Sequence, residues 1–192
     1  IYSRFDAFDT LETKQDLEQL FNVLNSVKDK NGRNAVFTPF ALPCNINFEK
    51  VIANDFQKFE YETLPETYSK LAIEQPEAYL GAWEKWLEGI QKGFLKPQFH
   101  GREHVNLSIF NDKLKSKDEQ IITALNNKSY TSISDDDYPT KSSFAAFDFW
   151  DASENQNLKS IVIDGLQKFE EVYGYKSDYF TPPVFNIHHS LF

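Results

Sequence analysis

Short apolar runs alternate with amphipathic stretches along this chain, and that alternation most constrains its fold. Residues 157–173 carry Leu158, Ile161, Val162, Leu166, Phe169 and Val172 three and four positions apart, and Gly174 follows. That spacing predicts one helix with a buried stripe and a glycine stop. Thr13, with Asp16 in the first turn, predicts the start of another helix, carrying Leu17, Leu20, Phe21, Leu24 and Val27. Pro76 opens a third, with Tyr79, Leu80, Trp83, Trp86, Leu87 and Ile90 inward, and Gly93 closes it. Residues 105–127 read as two helices or one broken helix. Between these stretches lie strand candidates at 35–42, 58–63, 98–100, 144–150 and 178–181, the last stopped by Pro182-Pro183. Strands alternating with helices predict an α/β architecture with a mostly parallel sheet. In such folds chemistry collects at the C-terminal ends of the strands.

A chain of 192 residues is the size of one domain, and 41% hydrophobic residues suffice for its core. The net charge of -9 argues against a nucleic-acid groove and against an anionic membrane surface as partner. No apolar run approaches the ~20 residues that span a bilayer. The aspartate run Asp135, Asp136, Asp137 sits in a polar stretch that reads as a loop. The only cysteine is Cys44, so neither an intrachain disulfide nor a cysteine metal cluster can form. With no signal peptide in view, the expected location is cytoplasmic.

Two of the four histidines, His100 and His104, stand four residues apart with Glu103 between them. On a helical turn such positions share a face, and neutral imidazole is a common ligand for divalent metals. A catalytic site needs about three protein ligands and an open position. The plainer reading is two loop histidines, since this spacing arises often by chance. The same residues satisfy the inverted zinc-peptidase pattern, with Glu103 as base and Glu170 or Glu171 as third ligand. That pattern belongs inside a helix, whereas Pro97 and Gly101 place this one at a strand exit.

Tyr179, Phe180, Pro182 and Pro183 read either as the wall of a substrate groove or as a strand terminator. Asp148 and Asp151 offer a ligand or base, but aspartates there more often cap a following helix. His188 and His189 read as exposed near the chain end. Cys44, without a neighbouring base, reads as a buried inert thiol.

In order along the chain, Arg4-Phe5-Asp6, the run from Leu11 to Leu17, the run from Val27 to Gly32 with Phe37-Thr38, and the run from Phe99 to His104 resemble the polysaccharide deacetylase family. These are the NodB-like β/α barrels, and the likeness is greatest to uncharacterised bacterial polysaccharide (de)acetylase-like proteins. The resemblance implies a (β/α) barrel, incomplete in this chain, of which residues 1–192 form the central part as a single domain. It implies that His100 and His104 hold a divalent metal, zinc by preference. It also implies that Tyr179, Phe180, Pro182 and Pro183 line a carbohydrate groove. The chain departs from the family at Gly101, where a serine or threonine is usual, and in lacking an arginine beside Pro182. Asp6 and Asp9 do not match the family's aspartate pair, so the general base is expected upstream of Ile1.

The expected activity is metal-dependent removal of acetyl groups from a carbohydrate. A non-catalytic carbohydrate-binding or structural barrel and an inverted-motif zinc peptidase stand as the alternatives.

Overall fold

The computed structural model describes residues 10–130, 143–185 and 187–191. The run from Arg4, with Asp6 and Asp9, and the aspartates at 135–137 lie outside the described residues.

Helix α1 (Lys14–Ser26) begins where expected. The Thr13 hydroxyl accepts from the Asp16 N–H at 3.1 Å, and the Asp16 carboxylate accepts from the Thr13 N–H at 2.9 Å. This reciprocal box satisfies two otherwise orphaned donors. After it come β1 (Phe40–Ala41), β2 (Cys44–Ile46), α2 (Phe48–Ala53) and β3 (Tyr61–Thr63). Next are α3 (Leu64–Glu74), α4 (Pro76–Tyr79), α5 (Ala82–Gln91) and β4 (Gln98–Phe99). The remaining helices are α6 (Leu107–Lys115), α7 (Glu119–Asn126) and α8 (Asn155–Tyr173).

These elements do not make the expected barrel. The chain is about half helical, and the strands among the described residues form two sheets of two strands each, with no barrel closed. The reasons are local. Of the run at 35–42 only Phe40–Ala41 is strand, and Val36, Phe37 and Phe40 are each about half exposed. Residues 144–150 form turns, with the Ala146 N–H bonded to the Phe144 carbonyl and the Asp148 N–H to Ala145. Residues 64–74, to which the pattern gave no element, are helix α3, held by a capping box between Thr63 and Glu66 with Pro65 in its first turn. The helix from Pro76 breaks at Gly81, whose φ of 81° is the left-handed region, so α4 and α5 are separate.

What does form is a narrow parallel ribbon. Phe40 pairs with Gln98 and Ala41 with Phe99, and isolated parallel bridges join Phe37 to Leu95 and Phe99 to Phe180. Phe99 therefore runs between two neighbours, which is why it is fully buried. The second sheet is an antiparallel pair, with Cys44 opposite Thr63 and Ile46 opposite Tyr61.

Most of the buried apolar side chains among the described residues fall into two clusters. One packs α1, α3, α5 and α8 around the ribbon, through Leu17, Tyr68, Trp86, Phe99, Phe147 and Phe169. The other joins β2, α2, α6 and α7 through Ile46, Val51, Phe110, Leu114, Ile121 and Leu125. The loop from His100 to His104 runs from the first cluster to the second, because Phe99 belongs to one and Val105 to the other.

Candidate functional site

The backbone of residues 100–104 is not helical, so a shared helix face does not bring the two histidines together. Strand pairing and a glycine do. The His100 N–H donates to the Ala41 carbonyl at 3.1 Å, extending the β1–β4 register by one residue. Gly101 then turns the chain at φ 129°, a conformation that side-chain-bearing residues rarely adopt. The rings of His100 and His104 end with centroids 5.1 Å apart and planes tilted by 55°.

His100 Nδ1 lies 2.6 Å from the Thr181 carbonyl oxygen. A carbonyl only accepts, so Nδ1 carries the hydrogen and Nε2 the lone pair. This backbone contact is the kind of outer partner that orients a ligating imidazole. Phe40, half exposed, stacks on the same ring with centroids 5.6 Å apart. Nδ1 of His104 is buried with no hydrogen-bond partner among the described residues. Burial holds the pKa of both imidazoles below the ordinary histidine range, and the charge of His100 lowers that of His104 further. Both rings are therefore neutral at pH 7, the form that binds metals.

The pair fits a metal ion as far as it goes. Two imidazoles sharing a tetrahedral ion at about 2.0–2.1 Å have ring centroids roughly 5 Å apart, so the observed separation is compatible with a shared ion, as it is with simple ring packing. Among the described residues, however, no group of three His, Cys, Asp or Glu is placed to hold an ion. The nearest acid in sequence is engaged elsewhere. Glu103 is almost fully buried, and its two oxygens take Nε and Nη2 of Arg102, the latter at 2.9 Å. Burial raises the Glu103 pKa and the Arg102 charge opposes that rise. With both oxygens on a guanidinium and no helix around it, Glu103 does not supply the base of an inverted zinc peptidase. Glu171 likewise pairs with Lys168 along α8.

The diproline segment lies beside His100, but its rings divide. Phe180 turns inward, with its centroid 4.9 Å from Phe99 and 5.4 Å from Phe147. Pro183 is buried, whereas Tyr179 is half exposed. Asp151 caps the 3-10 turn Ala152–Glu154 through the Ser153 N–H, and Asp148 accepts from the Phe149 N–H. The rings of His188 and His189 are tilted against each other with centroids 4.2 Å apart, and Phe149 is edge-on to His188. Cys44 is buried and its thiol is pushed up to about 12 by that burial.

His104 and Glu103 also sit on the wall of a cleft of about 850 Å³. Its lining is mainly apolar, with Leu42, Ile46, Phe48, Leu71, Val105 and Phe144. Charge gathers at Lys70, which bridges Glu49 and the nearly buried Glu62, and at Lys128, which bridges Glu49 and Glu74. Those lysines hold the Glu49 carboxyl down to about 2.

Several of these participants are invisible in the sequence pattern. Nothing local marks Thr181 as the partner of His100, or Phe40 as its stacking face. Arg102 stands inside the motif but has no role in the pattern until Asp164 is seen beside it. Gly165, in mid-helix, is the one signal that α8 meets something closely.

A scan against protein-family models, a search of curated proteins and a search of solved structures each found no match to this chain. No helix among the described residues is long and apolar enough to cross a membrane.

Proposed function

We propose that His100 and His104 are two ligands of a divalent metal, zinc by preference, in a hydrolase that removes acetyl groups from a carbohydrate. The observation that carries the reading is the His100–His104 pair itself. Two neutral rings stand with centroids 5.1 Å apart, close enough for one ion to join them, and one is already oriented by the Thr181 carbonyl. The resemblance of the run from Phe99 to His104 to polysaccharide deacetylases supports the same role. When bound, such an ion polarises the acetyl carbonyl and acidifies water. The chain's own residues do the positioning. Thr181 fixes the tautomer of His100, and Phe40 and Tyr179 offer exposed aromatic faces of the kind that pack against sugar rings. The cleft beside His104, mainly apolar with Glu49, Glu62, Lys70 and Lys128 on its wall, offers room for a substrate. The third ligand and the general base belong to residues other than those described.

Zinc uptake by equilibrium dialysis and acetate release from acetylated oligosaccharides test this. One zinc per chain is expected, together with acetate release that His100→Ala abolishes. A chain that holds no zinc, or holds it equally well after His100→Ala, overturns the reading. A second reading, a carbohydrate-binding module without catalysis, is favoured by the absence of a third ligand among the described residues. Sugar binding without acetate release would establish it.

A further inference from the structure

We infer that Arg102 is the positioning residue of the histidine pair, an inference that rests on the metal-binding reading above. One guanidinium ties the loop between the two histidines to two other elements. Its Nε and Nη2 hold Glu103, and its Nη1 donates to Asp164 of α8 at 2.8 Å. The same Asp164 oxygen accepts the Tyr61 hydroxyl of β3 at 3.0 Å, and the Arg102 guanidinium carbon lies 4.3 Å over the Tyr61 ring. The Arg102 backbone is fixed as well, since its carbonyl accepts from the Cys44 N–H of β2 at 3.1 Å. Helix α8 approaches this closely because Gly165 has no side chain there. A Cβ on Gly165 would stand 2.9 Å from the Arg102 Cβ and 2.8 Å from the Phe99 ring.

His100 is thus anchored by the ribbon, and His104 follows a residue pair held from α8 and β3. The distance between the two rings is set by where Arg102 is held. Arginine suits the task because its planar fork meets two partners at fixed angles, which the single ammonium of lysine does not. Arg102 is buried, so it touches no substrate and acts only through the histidines.

The test titrates zinc into the chain carrying His188→Gln and His189→Gln, which leaves His100 and His104 as the only histidines. Arg102→Lys is compared with Leu17→Ala, a core change in α1 that lowers stability without touching the network. Zinc affinity is expected to fall about 10-fold or more in Arg102→Lys, the lower end of what misorienting a metal ligand costs, because the loop that spaces the two rings loses an anchor. Leu17→Ala is expected to retain full affinity in its folded state. A folded Arg102→Lys chain with undiminished affinity overturns the proposal, as does an equal loss in Leu17→Ala. Should Arg102→Lys fail to fold, Asp164→Asn decides, with weakened zinc binding supporting the role and unchanged binding overturning it. If the parent chain binds no zinc, or if His100→Ala leaves binding unchanged, the metal-binding reading itself falls and the inference with it.

Discussion

Arg102 presents two nitrogens to both carboxylate oxygens of Glu103, its neighbour in sequence, and the pair is buried together. Adjacent residues seldom face each other in regular structure. Here the left-handed turn at Gly101 and the capture of the Arg102 carbonyl by Cys44 redirect the chain so that they do.

Removing one member of such a pair strands a buried charge, which costs about 3–5 kcal/mol. Arg102→Met is expected to lose stability in that range, read as the shift of a urea unfolding curve. Adding Glu103→Gln removes the stranded carboxylate, so the double variant is expected to regain part of the loss. A double variant less stable than Arg102→Met would show that the pair is not the source of the cost.

The two histidines predict a pH dependence with a definite sign. Burial lowers the folded-state pKa of His100 and of His104 below the unfolded value of about 6.5. As pH falls through the unfolded value, the unfolded chain takes up protons that the folded chain still refuses. Stability therefore rises with pH in that window, is complete above about 6.5, and is lost as pH falls through the folded values. Metal-free protein is expected to lose more stability between pH 7.5 and pH 5 than a His100→Gln/His104→Gln variant loses. Equal losses from urea curves at the two pH values would contradict the assignment.

Cys44 lies on β2, buried beside Arg102 and Glu103, and its thiol is pushed up to about 12 chiefly by desolvation. Thiolate is the reactive form. At pH 8 the native protein is expected to resist alkylation by iodoacetamide, while the urea-unfolded chain reacts at the rate of a free thiol. Rapid native-state alkylation, read by mass spectrometry, would mean that the thiol is not held in this environment.

The helices were legible in the sequence because each stripe is self-contained. Leu158, Val162 and Phe169 recur at helical spacing and are buried in α8, whereas Leu166 of the same stripe, and Leu80 and Leu87 after Pro76, are exposed, because the neighbouring elements cover less of each helix than its apolar stripe. Helix α3 was signalled too, by Thr63 and Glu66 three residues apart with Pro65 between them, but its few apolar residues make no stripe of the kind that marks α8, whereas the strand expected just before it forms at Tyr61–Thr63. The barrel was not legible, because an apolar run records burial and not the partner that buries it. The run from Phe144 to Phe147 supplies buried residues through turns, and periodicity cannot separate that from a buried strand. The candidate site divides in the same way. The spacing of His100 and His104 pointed to neighbouring rings, and their centroids lie 5.1 Å apart. Their supports, Thr181 and Asp164, lie some 60 to 80 residues away and leave no local trace.

Gly165 offers a test of the close approach on which the site depends. Replacing glycine by alanine inside an exposed helix stabilises it by about 1 kcal/mol. At Gly165 the added methyl would meet the Phe99 ring at 2.8 Å, the Arg102 Cβ at 2.9 Å and the Arg102 backbone nitrogen at 3.1 Å. Backbone and Cβ atoms cannot swing aside as a side-chain tip can, so the helix must move. Overpacking of this kind costs about 1–3 kcal/mol, which outweighs the propensity gain. Gly165→Ala is therefore expected to lower stability, and to shift α8 away from the His100–His104 loop. Gly89 in α5 is a control of different consequence. Its added methyl would collide with the Phe21 ring and meet the Leu95 side chain at 2.9 Å, which are core contacts. Gly89→Ala is expected to lower stability too, while leaving the histidine pair in place. Thermal melts measure the first effect, and histidine ring chemical shifts measure the second. Shifts that move equally in both variants would mean that α8 does not set the pair.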